Sequence, residues 1–226
     1  STQSSGIFDI LAWLDANWRK VVAGAVLVVL VVAAIAFYQW NQRQSEINAN
    51  KALLSVSYAN ADGTLSASPD QLSKVAQEHP NTSAALRAQL LAAGAAFEKG
   101  DYSAAQTHFQ AVASANGPVD LKAQAAYGLA AVAEAQKNLD QALQKYQEVS
   151  RQFANEPVAA QAKLAIGRIY EAQGKPEDAL KIYNELEKQT QFDFWRGEAS
   201  QRKEQIIRRH PNLKEQAAAT GDSSSR

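Results

Sequence analysis

Three regimes of hydrophobic patterning follow one another along the chain. From Val21 to Tyr38 the run VVAGAVLVVLVVAAIAFY holds 18 residues without a charge, and at a helical rise of about 1.5 Å per residue it covers roughly 27 Å of hydrocarbon. A helix apolar on every face finds too little protein around it in a chain of 226 residues, so the run predicts a membrane span. Its valines do not redirect it to strand, because in lipid only a helix satisfies every backbone amide within one segment. Ahead of it, Ile7, Leu11, Leu14 and Trp18 recur at helical spacing with Asp9 and Asp15 off that face. They predict a short interfacial helix, with Ser4 or Ser5 as its cap. Beyond the run, apolar positions return at helical spacing in short stretches divided by polar, Gly or Pro turns, which predicts a series of short amphipathic helices.

The ends of the apolar run carry the aromatic and basic residues expected at headgroup depth: Trp18, Arg19 and Lys20 before it, then Phe37, Tyr38, Trp40 and Arg43 after it. The small-x-small form of Ala34-Ile35-Ala36 fits a processing site, but the expectation is a segment retained as an anchor. Lys and Arg number two on each side (Arg19 and Lys20, Arg43 and Lys51), so the charge rule leaves orientation open. The short N-terminal piece and the nearness of Arg19 and Lys20 to the boundary favour a cytoplasmic N-terminus, with the bulk of the chain outside.

In the soluble part, GDYSAAQTHFQAV from Gly100, KNLDQALQKYQEV from Lys137 and GKPEDALKIYNEL from Gly174 superpose at a constant offset of 37 residues. Ala105, Ala142 and Ala179 coincide, as do Phe109, Tyr146 and Tyr183, and Glu134-Ala135-Gln136 recurs as Glu171-Ala172-Gln173. A fixed period of this length marks a solenoid of antiparallel helix pairs. The small alanine lets helices approach, and the aromatic one turn later fills the space beside it. Pro80, Pro118 and Pro157 divide the repeats, with Asn81 or Thr82, Asp120 and Asn155 as expected caps. Ser68-Pro69-Asp70-Gln71 fits a capping box, and Asn41 to Ala61 reads as a continuation of the membrane helix closed by Asp62-Gly63. The expected organisation is an interfacial segment over 1–20, a transmembrane helix over 21–40, and a helical linker with a degenerate repeat over 41–80. Three repeats over 81–190, a capping helix over 191–210 and a flexible tail over 211–226 follow. The fold class is all-α.

Composition narrows the chemistry. Lys and Arg total 23 against 23 Asp and Glu, so the basic field that nucleic acid requires is missing. With no cysteine, disulfides, thiolate nucleophiles and sulfur-ligated zinc are excluded. His79, His108 and His210 stand far apart without a second ligand at one-turn spacing, and neither Gly-x-Ser-x-Gly nor a phosphate-cradling Gly-rich loop occurs. Surface carboxylates read as helix-face pairs, such as Asp178 with Lys181 and Glu134 with Lys137. The expectation is a non-enzyme with no cofactor, no metal and no small-molecule substrate, whose partners are other proteins and the lipid bilayer.

Leu164-Ala165-Ile166-Gly167-Arg168-Ile169-Tyr170, followed by Gly174, Ala179 and Tyr183, resembles the tetratricopeptide repeat signature. The two earlier repeats carry Ala130 and Ala133, then Ala93 and Ala96, at the Gly167 and Tyr170 positions, so their match is partial. The resemblance implies a concave face lined by the second, fifth, ninth and twelfth positions of each first helix. Carried over, these are Arg87, Leu90, Gly94 and Phe97; Gln124, Tyr127, Ala131 and Glu134; and Gln161, Leu164, Arg168 and Glu171. Repeats that hold a C-terminal carboxylate place Lys and Asn where this chain has Leu90 and Gly94, so a peptide with apolar side chains fits better than a carboxylate tail. Phe192, Phe194 and Trp195 form an aromatic cluster expected to pack under the last helix. Arg196, Arg202, Lys203, Arg208 and Arg209 make a basic stripe along that helix. One span leading into such repeats is similar to the YfgM-type ancillary subunits of the bacterial SecYEG translocon. That likeness implies an inner-membrane adaptor with periplasmic repeats, acting near translocation or chaperone machinery; the alternative is a permanent structural subunit of a large membrane complex.

Overall fold

The computed structural model describes residues 5–57, 67–188 and 193–214, all helix and turn, and the chain divides into two compact units, 1–48 and 49–226. The first unit is carried by α1, Ser5–Ser57, whose regular backbone is interrupted at Asn17, with φ −118° and ψ 16°. Asn17 Nδ2 donates to the Trp13 carbonyl at 3.0 Å, the local competition by which a short amide side chain unsettles a helix. Ser4 lies outside the described residues, and Ser5 is already the first helical residue. After the break the helix runs on through the valine-rich stretch, where an 18-residue window reaches a mean hydropathy of 2.9 with none of it buried. This helix is long and apolar enough to cross a membrane. It continues to Ser57, while Asp62 and Gly63 lie outside the described residues.

In the second unit the end of α1 contributes Leu53 to an apolar cluster with Leu72 and Val75 of α2 (Pro69–Glu78) and with Ala85, Ala88 and Ala92 of α3 (Ser83–Glu98). Ser68 opens α2 with the full capping box: the Gln71 amide donates to Ser68 Oγ at 3.2 Å, and the Ser68 amide donates to Gln71 Oε1 at 3.1 Å. The helices α4 (Tyr102–Ser114), α5 (Val119–Ala135), α6 (Leu139–Gln152), α7 (Pro157–Ala172), α8 (Pro176–Glu187) and α9 (Asp193–Arg209) follow. From α2 onward each helix packs on its successor, and α3, α5, α7 and α9 also touch in turn. This is the stacking of an α-solenoid: α3–α4, α5–α6 and α7–α8 form repeats I, II and III, and α9 covers the last.

The 37-residue period is a packing period. The second helices bury Ala105, Phe109 and Val112; Ala142, Tyr146 and Val149; and Ala179, Tyr183 and Leu186, each set one turn apart on a single face. Burying one such aromatic contributes about 1.5–3 kcal/mol. The turn inside each repeat is periodic too, with φ of +78° at Gly100, +66° at Lys137 and +69° at Gly174. In each, two amides close back onto the first helix, as with Gly174 to the Glu171 carbonyl at 3.0 Å and Lys175 to Tyr170 at 2.9 Å. That double closure needs a left-handed residue, which glycine adopts freely and Lys137 adopts at a cost.

Of the caps expected beside the dividing prolines, one of the two candidates before α3 holds and the other two depart from expectation. Thr82 caps α3, its Oγ1 accepting from the Ala85 amide at 3.1 Å, while Asn81 takes the left-handed turn position at φ +62°. Asp120 lies inside the first turn of α5, where Pro118 is the N-cap, and Glu156 rather than Asn155 precedes α7; neither cap makes a side-chain hydrogen bond. A proline fixes φ at the start of each, and in α5 the acid within the first turn, Asp120, complements the dipole instead.

Candidate protein-binding groove

The first helices present their outward positions on one face, and at the junction of repeats I and II this face opens into a cavity of about 450 Å³. Leu90, Gly94 and Phe97 of α3 line it with Gln124, Tyr127 and Ala131 of α5 and Gln161 of α7. Phe109 and Gly128 also line it. A Cβ on Gly128 would stand 2.4 Å from the Phe109 ring, so only glycine lets α5 approach that ring so closely. A second cavity of about 440 Å³ shares Leu90, Leu91, Gly94 and Glu98 and reaches Ala67 and Leu72. Leu91, absent from the expected positions, is half exposed at the lip of both. Arg87 is exposed but lines neither.

Further along the solenoid the same face is closed by polar bonds. Tyr146 donates its hydroxyl to Glu134 Oε2 at 2.7 Å, and Arg168 Nη2 lies 3.7 Å from Glu134 Oε1. One period later Tyr183 donates to Glu171 Oε1 at 2.6 Å, and Arg202 Nη1 lies 3.7 Å from that oxygen. Arg202 Nε also donates to Glu198 at 3.1 Å. Thus Glu134 and Glu171 tie the second helix of their own repeat to the next first helix. A hydrogen bond to a charged group contributes about 1.5–3 kcal/mol, whereas the half-exposed arginine pairs are worth about 0–1. Burial pushes the Tyr146 hydroxyl well above the ordinary tyrosine range, aided by the neighbouring Tyr127 and by donation to Glu134. Burial and then the Glu171 bond do the same for Tyr183. Tyr127, whose ring centroid lies 5.2 Å from that of Tyr146, is raised chiefly by burial.

The structure therefore sorts the expected groove residues. Leu90, Phe97, Gln124, Tyr127 and Gln161 meet at one cavity, and Glu134, Arg168 and Glu171 belong to the polar ties. Leu164 is 5% exposed, in the core cluster with Leu180 and Tyr183. Glu134 does not pair with Lys137, which occupies the left-handed turn, whereas Asp178 and Lys181 do pair at 3.0 Å. The tyrosine ties lie outside the expected positions, yet they have a signal in the sequence: Glu134 and Glu171 stand twelve residues before Tyr146 and Tyr183 in successive repeats.

The terminal helix carries less free charge than its composition suggests. Arg202 is held by Glu198 and Glu171, and Lys203 pairs with Glu187, which leaves exposed Arg208 and Arg209 in the last turn, where they complement the helix dipole. Trp195 packs against the cluster of Leu180, Tyr183 and Ile206, while Phe194 stands 75% exposed with its ring edge on Trp195 at 4.8 Å. Phe192 lies outside the described residues. Among the described residues no group of His, Asp and Glu is arranged to hold a metal ion, and His108 Nδ1 meets Gln89 Oε1 at 2.6 Å.

In the first unit Trp18, Tyr38 and Trp40 are all exposed, and Lys20 and Arg43 lie open beside them. The Arg19 guanidinium sits 5.9 Å from the Trp18 ring centroid. At about 1.5 Å per residue Trp18 and Trp40 stand roughly 33 Å apart along the helix, close to a hydrocarbon thickness of about 30 Å.

The fold is a solenoid of antiparallel pairs, built on a small alanine and an aromatic, with a cleft opening on its first helices. A tetratricopeptide repeat-like domain matches residues 11–193, and the chain belongs to that family. Such domains generally mediate protein–protein interactions and are typically not catalytic. Neither the curated proteins nor the solved structures gave a significant match.

Proposed function

We infer that the chain is a membrane-tethered adaptor that captures segments of other proteins on the first-helix face of its solenoid and performs no catalysis. The observation that carries this reading is the apolar cavity at the junction of repeats I and II, with its open lip at Leu91. The family match supports the tether as well, since it begins at residue 11, ahead of the apolar run, and so takes in that run together with the repeats. An ancillary role beside a bacterial translocon or with periplasmic chaperones accords with this layout, with the repeats on the periplasmic side of the inner membrane.

A photocrosslinking residue at Leu91 in the full chain, expressed in cells, tests the adaptor role. Discrete protein adducts from Leu91 but not from Gln110 on α4 support it, and equal adducts from both sites, or none, refute it. Orientation is read separately. The chain has no cysteine, so a single cysteine at Gln110 reports its compartment by membrane-impermeant labelling without background. Labelling only after the inner membrane is breached would reverse the assigned side.

A further inference from the structure

The three junctions of the solenoid are not built alike. At the junction of repeats II and III, Tyr146, Glu134 and Arg168 meet in a hydrogen-bonded tie. Subtracting one period of 37 residues places Phe109, Phe97 and Ala131 at the corresponding positions between repeats I and II. All three polar members are replaced together, and the cavity opens where they would have stood, lined by those same three residues. A junction that had simply lost one partner would leave a buried carboxylate or hydroxyl unsatisfied. Here all three of those positions are apolar, and no buried side-chain polar atom among the described residues lacks a hydrogen bond.

The charge lining the opening is one-sided. Among the described residues lining this cavity and the one beside it, Glu98 is the only charged residue. It is exposed, sits at the C-terminal end of α3 where the helix dipole adds further negative potential, and has no ion-pair partner among the described residues. A cation in a bound partner is the group that complements it, and no lysine or arginine among the lining residues would offset its repulsion of a partner carboxylate or phosphate.

We propose that the cavity between repeats I and II receives a leucine-sized or aromatic side chain from a partner peptide in which Lys or Arg adjoins that side chain, the cation pairing with Glu98. The proposal rests on the adaptor reading and narrows it to basic, apolar segments. The probe is a short fluorescein-labelled peptide of alternating Lys with Leu and Phe, measured by anisotropy against the full chain in lipid nanodiscs. A counterpart has Glu for every Lys. The basic probe is expected to bind about tenfold tighter or more. Glu98→Gln should remove most of that preference. Gly94 lines both cavities and an added Cβ there meets nothing within 4 Å, so Gly94→Leu, provided it retains a cooperative melt, should weaken the basic probe by about tenfold. The triple variant Phe97→Glu/Phe109→Tyr/Ala131→Arg, which rebuilds the polar tie, should weaken it similarly while retaining a cooperative melt. Equal binding of the two probes, no binding of either, or undiminished binding to Gly94→Leu overturns the proposal. Crosslinks from Leu91 that persist in such a case leave the adaptor reading standing, whereas a chain without such crosslinks loses that reading whatever the probes do.

Discussion

One substitution, glycine to alanine in a first helix, is expected to have opposite signs at two positions. At Gly94 an added Cβ has no neighbour within 4 Å. The change then acts only through backbone entropy and helix propensity, a gain of about 0.8–1 kcal/mol. At Gly167 the same atom would stand 2.3 Å from Cε1, 2.5 Å from Cζ and 2.7 Å from the hydroxyl of Tyr183. Tyr183 is fully buried and its hydroxyl is held by Glu171 at 2.6 Å, so the ring cannot swing aside without breaking that bond. Overpacking of this kind costs about 1–3 kcal/mol, and weakening a bond to a carboxylate adds about 1 kcal/mol more. After the propensity gain is subtracted, Gly167→Ala should destabilise by about 1–3 kcal/mol. For a unit of this size each kcal/mol moves the midpoint by about 2–4 °C. Gly94→Ala should therefore raise Tm by about 2–4 °C and Gly167→Ala lower it by about 2–12 °C. Thermal unfolding in a mild detergent, followed by tyrosine near-ultraviolet circular dichroism, reads the solenoid without interference from the helicity of the span. If both variants moved in the same direction, the close approach of α7 to the Tyr183 ring could not be the reason Gly167 is a glycine.

Three further outcomes are expected. Lys137→Gly should stabilise by about 0.5–1 kcal/mol by relieving the left-handed backbone at φ +66°, and an unchanged denaturation midpoint would contradict that turn. Tyr146 and Tyr183 hold their protons more tightly when folded, so their contribution is fully present below the ordinary tyrosine value of about 10. Above it the unfolded chain ionises first, and stability should fall by up to about 1.4 kcal/mol per pH unit for each tyrosine. Melts between pH 8 and 11 should show this slope and Tyr146→Phe should reduce it; a slope unaltered in the variant would rule Tyr146 out as its source. In single-tryptophan variants reconstituted in bilayers, Trp18 and Trp40 should be quenched most by lipid labels near the headgroups, and deeper quenching of either would displace the proposed boundary.

Much of the architecture was legible in the chain because it rests on local or repeated rules. The uncharged run from Val21 announced a lone apolar helix, and the recurrence of Ala105, Ala142 and Ala179 with Phe109, Tyr146 and Tyr183 announced helix pairs stacked at a fixed interval. In a solenoid most contacts lie within a repeat or with its neighbour, so periodicity carries much of the tertiary information. The capping box at Ser68 was equally readable, since both bonds join residues three apart. Asp120 and Asn155 fit caps by composition but are not the caps, because composition near a helix start does not say which residue leaves helical geometry first.

The groove was legible only in part. The positions implied by the repeat signature include Leu90, Phe97, Gln124 and Tyr127, which line one cavity, but also Leu164, which is buried, and Glu134, which bonds Tyr146 instead of pairing with Lys137. The sequence alone determined the helix pairs, their period and the lone apolar helix, because spacing and hydrophobicity along one chain decide them. Only the tertiary structure decided which junction is tied shut and which is hollow. That depends on whether a hydroxyl from one helix, a carboxylate from another and a guanidinium from the next repeat reach one another across several ångströms of packed space.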